Sequence, residues 1–144
     1  GNWFNLNYAI VYFYNAYGRR EISEGKYATL IGIFKTNTIN KTPLKVVLPG
    51  SQERNFTHID DITSALKIVA ENGKGDDYGI GSDESYTIKE IAKMFGGIIE
   101  EVPERRGNRM NAKVVTDKTK NLGWTPKESI KEHIKNFLDE QVNI

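Results

Sequence analysis

Apolar and polar positions follow two periods along this chain, and the changes of period mark its elements. Residues 8–14 (YAIVYFY) are apolar without alternation, which predicts a strand buried on both faces of a parallel sheet. Tyr27, Leu30, Ile31, Phe34 and Thr38 share one helical face. Pro43 and Gly50 bracket a short strand over 44–48. Residues 54–61 (RNFTHIDD) then predict a short strand that delivers one arginine and breaks directly into a helix. Asp60 and Asp61 sit where a helix N-terminus favours negative charge, and Ile62, Ala65, Leu66 and Val69 recur at i, i+3, i+4, i+7 up to a stop at Gly73.

A turn at 73–77 leads into a strand over 77–80. Thr87 and Glu90 form a capping box for a helix that buries Ile88, Ile91, Ala92 and Phe95 and ends at Gly96-Gly97. A strand follows over 98–102, then a short helix over 117–122 stopped by Gly123. Thr125-Pro126-Lys127-Glu128 predicts the start of the last helix, with an N-cap, a proline in the first turn and a capping glutamate. Ile130, Ile134, Phe137 and Leu138 face inward from it, and Lys127, Lys131 and Lys135 outward. The pattern is that of a small α/β domain with three or four helices and several short strands.

Composition narrows the function classes. The 144 residues are one domain's worth of chain and can bury a core. Twenty basic and 19 acidic residues are interspersed, with a formal net charge of +1, which argues against a dedicated nucleic-acid surface. Cysteine is absent, so disulfides, thiolate metal sites and a cysteine nucleophile are excluded, and the chain fits a reducing, cytoplasmic setting. No apolar run approaches the ~20 residues of a membrane span.

Candidate chemistry centres on Arg54. A guanidinium fixed at a strand edge beside a packed helix suits a phosphate, which its planar fork meets with paired charge-assisted hydrogen bonds. Phe56 either stacks near a ligand or fills core. His58 reads as a satisfied structural residue rather than a catalytic one, and with His133 far away in sequence no metal site is expected. Gly79-Ile80-Gly81 precedes a helix, but Glu84 stands where a dinucleotide fingerprint needs its third glycine, so that reading is rejected. Residues 103–109 (PERRGNR) form a second cationic segment without interleaved aromatics.

Four stretches, in order, resemble motifs of one family. RNFTHIDDI is similar to R-D-[FY]-[IVT]-H-V-x-D, and YFYNAYG (12–18) to R-x-F-N-x-Y-G. YGIGSDESYTIKEIA is similar to Y-N-[IV]-G-x-x-x-x-[ST]-[IV]-x-E-[LI]-A, and VPERRGNR with TDKTKNLGWTPKESI to P-x-R-x-G-D…D-x-[ST]-K-x-x-x-L-G-[WY]-x-P-x-x-x-[LI]. Together they resemble the C-terminal, substrate-binding portion of the extended short-chain dehydrogenases/reductases, the nucleotide-sugar epimerases and dehydratases of the UDP-glucose 4-epimerase type.

The resemblance implies a Rossmann-type parent fold. Residues 2–18 would be the tail of its NAD-binding domain, with one leftover parallel-sheet strand, and residues 19–144 the nucleotide-sugar domain. It implies that Arg54 and Arg105 grip the diphosphate, that Asn15 lies between them and the sugar, and that Tyr14 borders the NAD. Val46, Leu48 and Phe56 would be contacts to the nucleotide, and Asn108 to a sugar hydroxyl. Departures occur at Tyr12 and Arg19, where the family has arginine and proline, and at Asn55 and Asn108, where it has aspartate.

Catalysis in that family runs through a Tyr-x-x-x-Lys pair and NAD, which accepts hydride to give a transient 4-keto sugar. Neither that pair nor a Gly-x-x-Gly-x-x-Gly loop occurs in these residues. The chain is therefore expected to start mid-protein, to be inactive alone, and to come from a homodimeric parent. A strand shaped for absent neighbours is also expected to hide by self-association through residues 8–14, by swapping or by disordering. A sister dehydratase, decarboxylase or 4-keto reductase, and a non-catalytic nucleotide-sugar-binding protein, remain the alternatives.

Overall fold

The computed structural model describes residues 2–104 and 114–142. After a 3-10 turn at Asn2–Phe4 come β1 (Ala9–Phe13), β2 (Ala16–Tyr17), α1 (Leu30–Ile39), β3 (Leu44–Val47), β4 (Glu53–Arg54) and β5 (Thr57–His58). Then follow α2 (Ile59–Asn72), β6 (Gly75–Ile80), β7 (Tyr86–Thr87), α3 (Ile88–Phe95), β8 (Ile99–Val102), α4 (Asp117–Lys120) and α5 (Ile130–Val142). The strands pair two by two. β1–β6, β2–β5 and β3–β8 are parallel, and β4–β7 is antiparallel.

Two apolar clusters hold these pieces. The larger joins α1, α3, α5 and β3 through Ile31, Phe34, Val46, Ile91, Phe95 and Ile134. The smaller sets Ile62 and Ala65 of α2 against Ile80 and Trp124, with Val11 of β1 packed beside them. α3 and α5 enter the larger cluster on the apolar face that their spacing predicts. α3 begins with the full capping box: Thr87 Oγ1 accepts from Glu90 N at 3.1 Å, and Thr87 N donates to Glu90 Oε2 at 2.7 Å. It ends at Gly96 with φ +72°, a conformation glycine adopts without penalty.

Four expectations are corrected. The strand at 8–14 is present and parallel, yet it is not buried on both faces: Tyr12 is 49% and Phe13 55% exposed. Among the described residues it pairs with β6 alone, and only Val11 meets a packed layer. Tyr27 lies before α1 and is exposed, because α1 is capped by Thr29, whose Oγ1 accepts from Gly32 N at 3.0 Å.

Leu66 is exposed on α2, whose inward face carries Asp61 instead. Finally, 125–128 is not a helical turn; α5 starts at Ile130. Lys127 N and Glu128 N donate to Asp61 Oδ1 at 2.9 Å and Oδ2 at 3.0 Å. A carboxylate from α2 thus does the work that the local capping pattern assigned to Thr125 and Glu128.

Candidate functional site

Asn15 ends β1 and turns the chain into β2 with φ +34°, a backbone region that asparagine enters more readily than most residues. Its side-chain amide nitrogen and its backbone carbonyl are both used. Asn15 Nδ2 donates to Asn55 O at 3.0 Å, and Asn15 O accepts from Thr57 N at 3.2 Å. Asn55 in turn donates to Ser82 O at 2.9 Å and Glu84 O at 3.1 Å. Three separate segments are therefore stitched together at the C-terminal end of β1. The sequence marked Asn55 as a replacement of the family's aspartate that keeps hydrogen-bonding capacity; its bracing role depends on a loop 27 residues further on and is not readable from spacing.

Beside this junction lies a cavity of about 390 Å³. Asn15, Arg54 and Phe56 line it together, as does the first turn of α1 with Thr29, Leu30 and Ile31. Arg54 stands half-buried on β4, with Nη1 donating to Glu53 O at 2.7 Å. Phe56 is 6% exposed and belongs to both the cavity wall and the larger core. The first turn of α1 carries no acidic residue, so the positive end of its dipole favours an anion. One cation, one amide, one aromatic ring and a helix N-terminus thus converge on a mostly apolar pocket.

Other predicted site residues fall elsewhere. Val46 is buried in the larger core. Leu48 is 37% exposed, past the end of β3, and lines neither described cavity. Tyr14 is half-buried, donates its N–H to Ile80 O at 3.2 Å and packs its ring against Gly81. Arg105 and Asn108 lie outside the described residues.

A second, larger cavity of about 600 Å³ opens on the far side of β2, with Arg19, Arg20, Glu21, His58 and Asp60 at its walls. His58 has no catalytic geometry there. Its Nδ1 accepts from Asp60 N at 3.3 Å and caps α2, while its ring packs edge-on to Tyr17 at 5.1 Å. Burial holds the Tyr17 hydroxyl far above its usual range, and the carboxylates of Asp61, Glu128, Glu84 and Glu21 add to the effect. Tyr86 is pushed up to about 12, first by burial and then by its 2.7 Å bond to Glu84. Neither phenol serves as a base near neutral pH.

A cation, an amide and a helix N-terminus at a strand's C-terminal end stand where open α/β folds take their ligands. The chain belongs to the NAD dependent epimerase/dehydratase family, whose model matches residues 2–81. It is 28% identical over 141 residues to human dTDP-D-glucose 4,6-dehydratase (87% of this chain, 39% of that protein). It is 26% identical over 135 residues to UDP-glucuronic acid decarboxylase 1 of Arabidopsis thaliana (88% and 30%). The crystal structure of UDP-glucose 4-epimerase from Thermotoga maritima, with UDP-glucose, superposes with a TM-score of 0.83 at 24% identity (95% and 47%). The chain therefore spans less than half the length of these proteins, and its fold is a part of the extended short-chain dehydrogenase architecture.

The family is NAD-dependent, and the glycines at 79 and 81 do not fit that cofactor's phosphates. A Cβ at Gly79 would meet Val115 O at 1.7 Å, and one at Gly81 would meet Val114 and Tyr14. These glycines serve protein packing and do not form an open phosphate cradle. No described helix is long and apolar enough to cross a membrane.

Proposed function

We propose that this chain is the nucleotide-sugar-binding part of an NAD-dependent epimerase of the UDP-glucose 4-epimerase type. The convergence of Asn15, Arg54 and Phe56 on one cavity at the end of β1 carries this reading. Arg54 takes the diphosphate through charge-assisted hydrogen bonds, the first turn of α1 adds its N–H groups, and Asn15 sets the distance to the sugar. Arg105 and Asn108 complete the grip in this proposal. With no Tyr-x-x-x-Lys pair in its sequence, the chain binds without turning over. The likeness to a dehydratase and a decarboxylase favours those sister activities as the second reading for the whole protein.

Titration calorimetry with UDP-glucose, dTDP-glucose and the free nucleoside diphosphates tests the assignment. The diphosphates bind and the matching nucleosides do not. Arg54→Ala weakens binding about ten- to a hundredfold, the equivalent of one charged hydrogen-bonded contact. An unchanged dissociation constant in that variant would remove Arg54 from the site.

The exposed strand β1 supports a further part of the proposal, that the isolated chain self-associates there. Ile10, Tyr12 and Phe13 are exposed beside Trp3 (95%) and Phe4 (78%). Such a strip along an open strand edge favours pairing with another copy. Light scattering across a concentration series shows a rising mass, and Tyr12→Lys with Phe13→Glu holds the chain monomeric. A wild-type chain that stays monomeric throughout is the contrary result.

A further inference from the structure

A side chain that the proposed function does not use ties α1 to the segment after β2, which lines the larger cavity. Lys35 projects from α1, and its ammonium is only partly exposed, at 15%. It donates to Gly18 O at 3.3 Å and Glu21 Oε2 at 2.7 Å, both on the segment that continues β2. Glu21 Oε1 accepts from Gly18 N at 3.3 Å, so that segment is closed on itself around the same cation. The third contact is His133 Nε2 of α5, 2.7 Å from Lys35 Nζ. An ammonium has three hydrogens and no lone pair, so at this distance Nε2 must be the acceptor. His133 is therefore neutral, with its proton on Nδ1.

We propose that Lys35 and His133 form a proton-sensitive tie between α1, whose first turn lines the candidate cavity, and residues 18–21, which line the larger one. While His133 is neutral, the ammonium is fully coordinated and both segments are fixed. When His133 gains a proton, the acceptor becomes a donor and two cations face each other at hydrogen-bond distance. The contact then opens, and Lys35 loses the partner that aims it at Gly18 and Glu21.

Every element around His133 bears on its charge. Lys35 from α1 and Arg19 after β2 oppose the imidazolium, as does His58 at the end of β5. Glu21 favours it but is already engaged by Lys35. Tyr17 of β2 lies edge-on to the His133 ring at 4.9 Å and shields it without carrying charge. Burial first, and then Lys35, His58 and Arg19, pull His133 down to about 4. The unfolded chain takes up this proton near pH ~6.5 and the folded chain does not until near pH 4. The tie is thus closed at neutral pH, and the stability it contributes is lost as pH falls from about 6.5 toward 4.

Its bearing on ligand affinity rests on the cavity reading above, but the tie itself is tested on the 144-residue chain without ligand. Isotope-resolved NMR follows the His133 ring and the Gly18 amide from pH 7.5 to pH 3.5. The ring titrates near pH 4 and Gly18 shifts with the same midpoint. Lys35→Met moves the His133 midpoint up by about one pH unit, whereas Lys35→Arg keeps it low. His133→Phe preserves the ring contact and abolishes the Gly18 component that shares the midpoint.

An ordinary His133 midpoint in the wild type overturns the tie, and so does a Gly18 titration unchanged in His133→Phe. The His133→Phe arm decides even where Lys35→Met does not fold. A chain that shows the coupled titration but binds no nucleotide overturns the cavity reading and leaves this one standing.

Discussion

Asp61→Ala is expected to destabilise the chain by about 3 kcal/mol in urea unfolding, while Asp60→Ala costs about 0.5 kcal/mol. The two acids are neighbours, and composition treats them alike. Asp60 is exposed, gives the N-terminus of α2 a screened dipole contact, and sets its carboxylate 3.6 Å from His58 Nδ1. Asp61 is 4% exposed, and its carboxylate accepts from two backbone N–H groups in the approach to α5. Its carbonyl also accepts from Trp124 Nε1 at 3.1 Å, at the centre of the smaller cluster. Truncation removes the acceptor of both N–H groups and loosens the approach to α5. Similar costs for the two variants would show that water replaces the carboxylate, and that α5 docks through its apolar face alone.

Gly79→Ala is expected to cost about 3 kcal/mol as well, by overpacking. The backbone of Val115 crosses β6 so closely that a methyl group would sit 1.7 Å from its carbonyl oxygen and 2.9 Å from its carbonyl carbon. Neither atom is the free end of a flexible side chain, so the whole crossing must lift. Thr119 Oγ1, which donates to Gly79 O at 2.6 Å, would be carried away with it. Gly97→Ala is the control. Its new methyl would meet Leu44 at 3.4 and 3.5 Å, ordinary contact, and the change should stay within about 0.5 kcal/mol. A small effect at Gly79 would mean that the crossing yields without loss of its hydrogen bond.

These two residues show where the sequence is legible and where it is not. Periodicity and local capping chemistry depend on neighbours within about one turn, so α3 and its Thr87–Glu90 box are readable, as is the apolar face of α5. Interactions between distant segments leave no such trace. Asp61 reads as a helix-terminus acid and is in fact the anchor for residues 127 and 128. Thr125-Pro126 satisfies every local rule for a helix start, yet the remote carboxylate takes the N–H groups and moves the start to Ile130.

The site divides in the same way. Asn15, Arg54 and Phe56, singled out in the sequence one by one, line one cavity in the structure. Val46 lies in β3 and Leu48 just past its end, two positions apart and so on one face by spacing, and only the packed structure shows one in the core and the other at the surface. The Lys35–His133 contact spans 98 positions and has no signature in spacing.

The strand pairing has one more consequence, for the order in which the chain folds. Ala9 pairs with Gly75, Leu44 with Ile99, Ala16 with Thr57 and Glu53 with Thr87, so none of these ladders is a hairpin. Each requires a long loop to close before its first hydrogen bond forms, and that entropy is lost before any contact repays it. The helices can flicker into shape early, but the sheets must wait for chain ends to meet. A slow approach to the native state follows, with β1 waiting longest for its partner.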